Sequence, residues 1–180
     1  MKQILFATGN VSKPKRFSKG LLENGKNAIE NALIIARAFY KASSMTTFAM
    51  DDNLYIDNIP DELQPGMFVR RINGKRLNDD EMIEHYSNLA KKYGDNGRLT
   101  ARWLYGLAVI KDGKENTYTW SKEDFYIVDK PCDIINKDYP LNSISINKKL
   151  NKYFTDLTDE DKKLIQEDET DVVEFITKNV

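Results

Sequence analysis

Asp112-Gly113 stands between two stretches with strand-like patterning, Leu99 to Ile110 and Asn116 to Val128. An Asp-Gly pair accepts positive φ at both central turn positions, which matches the twist of paired strands, so the sequence predicts a long antiparallel hairpin. A hairpin is marginal alone and needs a larger sheet with helical cover. The cover is legible on both sides of it. Asn27, with Glu30 three residues on, reads as a helix start, and Ile29, Ala32, Leu33, Ala36 and Tyr40 follow at helical spacing. A further helix runs from an Asn78 cap to about Tyr93, and others begin near Thr158 and Thr170. Gln3 to Ala7 reads as a buried strand, then Thr8-Gly9-Asn10 turns into a helix with Pro14 in its first turn. Thr46 to Met50 is a short strand that Asp51-Asp52-Asn53 breaks and Leu54-Tyr55-Ile56 resumes after a bulge. With no internal repeat or linker, the expectation is one mixed α/β domain over residues 1–180, a twisted sheet flanked by helices.

Apolar residues at 41% and charged residues at 31% belong to an ordinary globular chain and exclude a disordered one. Lys and Arg number 27 against 28 Asp and Glu, a formal net charge of −1, so no global field gathers a polyanion. A nucleic-acid module built on Arg70, Arg71, Lys75 and Arg76 would lack the basic surface that phosphate-dominated binding needs. No apolar run of about 18 residues is present and Met1-Lys2-Gln3 leads into no signal-like segment, so the chain is expected in the cytoplasm with no membrane partner. Cys132 is the sole cysteine and cannot form an internal disulfide. His85 is expected on an exposed helix face, and the acids from Asp156 to Asp171 on a solvated one.

Three constellations carry chemistry. A strand ending in Thr8-Gly9-Asn10, with Lys13 one turn on, can aim backbone N–H groups, a hydroxyl, an amide and an ammonium at one point, which suits a phosphate. The same residues are also ordinary turn formers, and Glu30 is equally a capping-box glutamate. Asp51 and Asp52 are adjacent carboxylates at a strand end, where mutual repulsion favours solvent or a cation between them, magnesium being the economical choice. Pro65-Gly66 followed by Arg70-Arg71 places two guanidinium forks after a turn, and such forks suit phosphate oxygens or simply solvent.

Taken together, the segments resemble the inosine/xanthosine triphosphate pyrophosphatase family over nearly the whole chain. The family's Thr/Ser-Gly-Asn-x-x-Lys stands as Thr8-Gly9-Asn10-Val11-Ser12-Lys13, its Glu-Asn-Ala as Glu30-Asn31-Ala32, and its Asp-Asp-Ser-Gly-Leu-x-x-Asp as Met50 to Asp57. Its Pro-Gly-x-x-x-x-Arg is similar to Pro65-Gly66 through Arg71, and its Thr-Phe-Ala-Glu-Leu-Thr-x-Glu-Glu-Lys to Tyr153 through Lys162. The resemblance implies an ITPase-like fold with a long twisted sheet and a cleft between two lobes, a homodimer, and hydrolysis of a nucleoside triphosphate to monophosphate and pyrophosphate. It also implies that Glu30 and Asp51 hold Mg2+ and help activate the attacking water, and that Thr8, Asn10, Lys13 and Arg70 or Arg71 hold phosphate oxygens; Asp52, at the family's serine, is a further catalytic candidate. The long apolar stretch from Trp103 to Ile110 would contribute to a dimer or to the core.

The departures concern metal, charge and base. A family lysine is Ile35, the first acid of the Asp-Asp pair is Met50, and a helix glutamate is Arg16. Asp52 is a candidate replacement carboxylate, and Arg16 or Arg37 a replacement cation. Tyr139-Pro140-Leu141-Asn142 stands where the family has Phe-Gly-Tyr/Trp-Asp, which leaves Tyr139 to stack on a base and Asn142 to pair with its edge. Lys162 is kept, but Ser-His-Arg falls on Gln166-Glu167-Asp168, and ionised carboxylates accept hydrogen bonds where His and Arg donate them. Two acids disfavour the carbonyl of hypoxanthine or xanthine and suit an amino-bearing base; an exposed helix with specificity relaxed or set elsewhere is the plainer alternative. The alternative function is a non-catalytic nucleotide-binding or regulatory protein on the same scaffold.

Overall fold

A computed structural model describes residues 4–7, 24–137 and 139–180. In chain order the elements are β1 (Leu5–Ala7), α1 (Ala28–Ser43), β2 (Thr47–Ile56), β3 (Arg71–Ile72), β4 (Lys75–Arg76), α2 (Asp79–Tyr93), β5 (Arg98–Lys111), β6 (Lys114–Ser121), β7 (Phe125–Val128), β8 (Ser145–Asn147), β9 (Lys152–Tyr153), α3 (Asp159–Leu164) and α4 (Thr170–Asn179). The strands form a mixed sheet in the order β1-β2-β5-β7-β8-β9, with β6 also on β5 and β3 paired with β4 apart from it. The chain divides into two compact units, one from the described parts of Met1–Asn53 with Leu104–Ser121 and Asp168–Val180, the other from Leu54–Trp103 and Lys122–Glu167.

In the first unit β1 lies parallel to β2, Ala7 opposite Ala49. β5 and β6 form the hairpin over Leu104↔Ser121 to Lys111↔Lys114, and Asp112 and Gly113 turn it with φ of 49° and 73°, the positive pair that a type I′ turn requires. Helix α1 starts as its sequence directs, the Asn27 side chain accepting from the Glu30 N–H, and its buried stripe packs with Ala7, Ala49, Ala108 and Ile110. So much alanine permits close approach. Closest is Gly106, where an added Cβ would stand 2.4 Å from the Ile29 nitrogen at the first turn of α1. Leu107 to Ile110 are buried within the chain, so these four residues belong to the core.

In the second unit α2 carries a complete capping box, Asn78 and Glu81 each accepting the other's backbone N–H, and it buries Tyr86 fully with the Tyr86 hydroxyl donating to the Val69 carbonyl. Around it cluster Leu54, Ile56, Leu99, Phe125, Ile127 and Ile144. The first part of β5 pairs with β7, and β7 continues to β8 and β9.

Three expectations change. β2 is one unbroken strand through Asp51-Asp52-Asn53, because its buried positions switch from Thr47 and Ala49 to Leu54 and Ile56 and the acids occupy the change of parity. The run from Asn116 to Val128 is two strands, since β6 and β7 pair with different parts of β5 and the polar Lys122-Glu123-Asp124 lies between them. His85 is half-buried, edge-on to Tyr86, and that burial lowers its pKa. At the start of the chain only Ala7 of β1 is buried, while Phe6 is exposed. The Thr8-Gly9-Asn10 turn and the helix after it lie outside the described residues.

Gly106→Ala is expected to destabilise the protein by about 1–3 kcal/mol, since the added methyl meets backbone that cannot swing aside. Urea unfolding followed by far-ultraviolet circular dichroism reads the change.

Candidate active site

Strand alternation sends Asp51 to the side of β2 that carries Ala49, toward α1, and Met50 and Asp52 to the other side. α1 answers Asp51 with Asn31, a residue only 2% exposed within the helix's otherwise apolar stripe. The Asn31 amide donates to Asp51 Oδ2 at 2.7 Å, and its oxygen accepts the Gly25 N–H at 2.8 Å. One side chain thus ties the loop before α1 to the acidic strand. Gly25 admits the arrangement because a Cβ there would lie 2.7 Å from Asn31 Oδ1. Glu30, one residue earlier, turns back so that its Oε2 accepts the Lys26 N–H at 2.7 Å. Glu30 and Asp51 are therefore organised through the same helix start, and the end of β1 at Ala7 lies opposite Ala49, two residues before Asp51.

Burial raises the Asp51 pKa, and hydrogen bonds from Asn31 and from the Asp52 backbone oppose that rise. Asp52 keeps an exposed edge, but protein crowds the rest of it; lost hydration, then the Asp51 charge, push its carboxyl up to about 6. No group of three or more His, Cys, Asp or Glu side chains that would hold a metal unaided exists among the described residues. Mg2+ suits the set that is present, because it takes one or two carboxylates and completes its shell with water and substrate phosphate rather than with an all-protein cage.

The other sequence-derived candidates have identifiable surroundings. Thr8, Asn10 and Lys13, like Arg16, lie outside the described residues. Arg37 grips Glu115 with two hydrogen bonds of 2.7 and 2.6 Å, so this guanidinium is committed on the surface and does not replace the lysine lost at Ile35, itself a core residue. In the second unit Arg70 pairs with Asp79 at 2.6 Å, and Arg71 is exposed in the short β3–β4 ladder. Lys75 pairs with Glu81. Two of the four cations of a nucleic-acid module are thereby neutralised.

Tyr139, 64% exposed, heads the short 3-10 turn Pro140–Ile144, and its carbonyl accepts the Asn142 N–H at 3.1 Å. Lys162 pairs with Asp159 at 3.0 Å on the surface of α3. Gln166 is exposed, while Glu167 accepts the backbone N–H of Glu123. Asp168, in the first unit, accepts the Thr170 hydroxyl and, at 2.9 Å, the Thr170 backbone N–H at the start of α4, and these bonds, the hydroxyl's first, lower its pKa. Both acids thus act as acceptors toward their own main chain.

Asn31 is named by the sequence only as part of Glu30-Asn31-Ala32 and is given no role there, although an amide among Ala28, Ala32, Ile35 and Ala36 on one helical stripe was the available signal.

The chain is 28% identical over 184 aligned positions to the dITP/XTP pyrophosphatase of Bacillus subtilis, covering 92% of this chain and 90% of that protein. No family model matches. Among solved structures it superposes on the Ham1 protein of Staphylococcus aureus with a TM-score of 0.74 at 20% identity, with 98% of each chain covered. The HAM1 protein of Coxiella burnetii gives 0.67 at 22% identity over 92% of each chain. A nucleoside-triphosphatase, or dITP/XTP pyrophosphatase, of Mycobacterium abscessus gives 0.69 at 21% identity, covering 92% of this chain and 93% of that one. These structures establish the shared fold.

A carboxyl whose pKa rises on folding favours the native state while neutral and loses that contribution once ionised. Without divalent cations, stability attributable to Asp52 is therefore complete below pH about 4 and falls as pH rises through about 6. Urea midpoints measured in chelator should show Asp52→Asn gaining on the parent protein across this window. A constant offset between the two would mean an ordinary surface carboxylate.

Proposed function

We propose that the chain is an ITPase-like family member and hydrolyses a nucleoside triphosphate between the α- and β-phosphates, releasing monophosphate and pyrophosphate. The observation that carries this reading is the Asn31 tie, which holds the Asp51 carboxylate partly buried beside the helix start that presents Glu30. Mg2+ bound there would neutralise phosphate charge and acidify water. Glu30 and Asp51 are its protein ligands, while Thr8, Asn10, Lys13 and Arg71 hold phosphate oxygens. Arg70, fastened to Asp79, positions the turn that offers Arg71. Asp51, whose pKa burial raises, faces α1, the helix that carries Glu30, and takes the proton of the attacking water, with Asp52 a further carboxylate on the other side of β2. The water oxygen forms a bond to the α-phosphorus, its proton passes to Asp51, and the bond from that phosphorus to the bridging oxygen breaks with pyrophosphate leaving. Asp52 shares its side of β2 with Met50, so it restores a carboxylate to the face where the family's first acid is lost.

Base preference is proposed to shift away from ITP and XTP. Tyr139 stacks on the base, with Asn142 and Lys162 beside it, whereas Gln166, Glu167 and Asp168 no longer supply the His and Arg donors that suit a keto purine. Glu167 and Asp168 already serve as acceptors, which supports the loss of donors more directly than a new contact to an amino group. A cytoplasmic homodimer follows from the same family resemblance, and sedimentation would read the assembly.

A panel of ribo- and deoxynucleoside triphosphates with Mg2+, with phosphate and pyrophosphate quantified separately, should show pyrophosphate release and no preference for ITP, dITP or XTP over ATP and CTP. Glu30→Gln and Asp51→Asn should each lower kcat/KM by about 100-fold or more, the usual scale for losing an electrostatic or metal-binding group. Absence of pyrophosphate from every nucleotide would favour the non-catalytic binder.

A further inference from the structure

Gln64 stands in the second unit between the short 3-10 turn Asp61–Leu63 and Pro65-Gly66. Two residues on, Gly66 exchanges a pair of main-chain hydrogen bonds with Leu54 of β2, its N–H donating to the Leu54 carbonyl at 3.1 Å and its carbonyl accepting the Leu54 N–H at 2.9 Å. In an antiparallel ladder such hydrogen-bonded pairs recur at every second residue, so the register sets Ile56 opposite the main chain of Gln64. The Gln64 N–H is instead committed to the Asp61 carbonyl, at 3.1 Å, where it closes the 3-10 turn. The side chain takes its place. Gln64 Oε1 accepts the Ile56 N–H at 3.1 Å, and Gln64 Nε2 donates to the Ile56 carbonyl at 2.6 Å. A primary amide carries the same donor and acceptor as a peptide group, so one glutamine completes the ladder that the backbone leaves open.

The turn beyond is held step by step. The Phe68 N–H donates to the Pro65 carbonyl at 2.8 Å and the Arg71 N–H to the Phe68 carbonyl at 2.7 Å. The Val69 carbonyl accepts the Tyr86 hydroxyl at 2.8 Å, and Arg70 pairs with Asp79 at 2.6 Å. Arg71, the next residue, is exposed. The segment thus has two anchors, α2 through Tyr86 and Asp79, and β2 through Leu54 and Ile56. On the β2 side Gln64 supplies as many hydrogen bonds as Gly66 does.

An arginine whose main chain is already placed loses less conformational freedom on gripping a phosphate than one carried by a loose loop. We propose that Gln64 is a positioning residue for the phosphate-binding arginine: its side-chain amide fastens to β2 the turn from which Arg71 reaches the nucleotide. The assignment rests on the proposed reading in which Arg71 holds a phosphate oxygen. Gln64 acts through Arg71 and not by touching substrate.

The test is steady-state pyrophosphate release, with Mg2+ and the nucleotide that the parent protein turns over best, by the parent, Gln64→Ala, Gln64→Glu, Arg71→Ala and the two double variants. Gln64→Ala should raise KM about tenfold, the scale of two modest hydrogen bonds, and leave kcat little changed, as loss of binding shared by ground and transition states does. Gln64→Glu keeps an acceptor for the Ile56 N–H but sets a carboxylate against the Ile56 carbonyl, and should raise KM at least as much. Both increases should vanish when Arg71 is already alanine, because nothing is then left to position. Should Gln64→Ala lose the parent's circular dichroism, Gln64→Glu, of equal size, decides alone by the same results. A parent-like KM in the Gln64 variants, or an increase that persists undiminished beside Arg71→Ala, would overturn the assignment while leaving the hydrolase reading intact. Arg71→Ala with the parent's KM would overturn the role of the arginine and that of Gln64 with it, and absence of pyrophosphate from the parent would overturn the hydrolase reading itself.

Discussion

A carboxylate placed against a helix has to be met by a donor or a cation, and the side-chain donor that meets Asp51 among the described residues is the buried Asn31 amide. Asn31 joins Asp51 to the backbone at Gly25, so the loop before α1, the first turn of that helix and the acidic stretch of β2 share one hydrogen-bonded centre. The small residues around it serve the same end. Alanines at positions 7, 32, 36, 49 and 108 bring helix and strands close enough for a short side chain to span the gap. Gly25 leaves room for the amide itself.

That centre sets the electrostatics next to it. Asp51 is stabilised by the amide and destabilised by lost hydration, while Asp52, on the opposite side of the strand, feels lost hydration and its neighbour's charge. Burial thus makes both carboxyls harder to ionise than free ones, and repulsion from Asp51 adds to the effect at Asp52. Met50, where the resembled pattern has its first acid, and Asp52 lie on the same side of β2 by strand alternation.

Features written into short stretches were legible in the sequence. The Asn78 capping box, the Asn27 cap and the Asp112-Gly113 turn each depend on residues within a few positions of one another, and each forms as the spacing implies. Features that depend on distant partners were not. Nothing local says that β2 continues through three polar residues, because Asn31, twenty positions away, meets one of them and the strand's buried parity changes around the others. Nor could spacing reveal that Glu167 turns to the backbone of Glu123 or that Arg37 closes on Glu115. Of the candidate site, the adjacent Asp51 and Asp52 and the capping Glu30 stood out by spacing and the resemblance added their expected roles, whereas the burial and contacts of Asn31 emerged only once the strand and helix were in place.

Electron–nuclear double resonance on Mn2+ bound to the protein with α,β-methylene ATP examines the central claim most directly. A strong phosphorus coupling in the parent protein, with both coupling and tight Mn2+ binding lost in Asn31→Ala although the fold survives, is the result the account predicts. Unchanged Mn2+ binding and phosphorus coupling in Asn31→Ala would contradict it, because the cation and polyphosphate would then be held without the tie on which the proposed site is built.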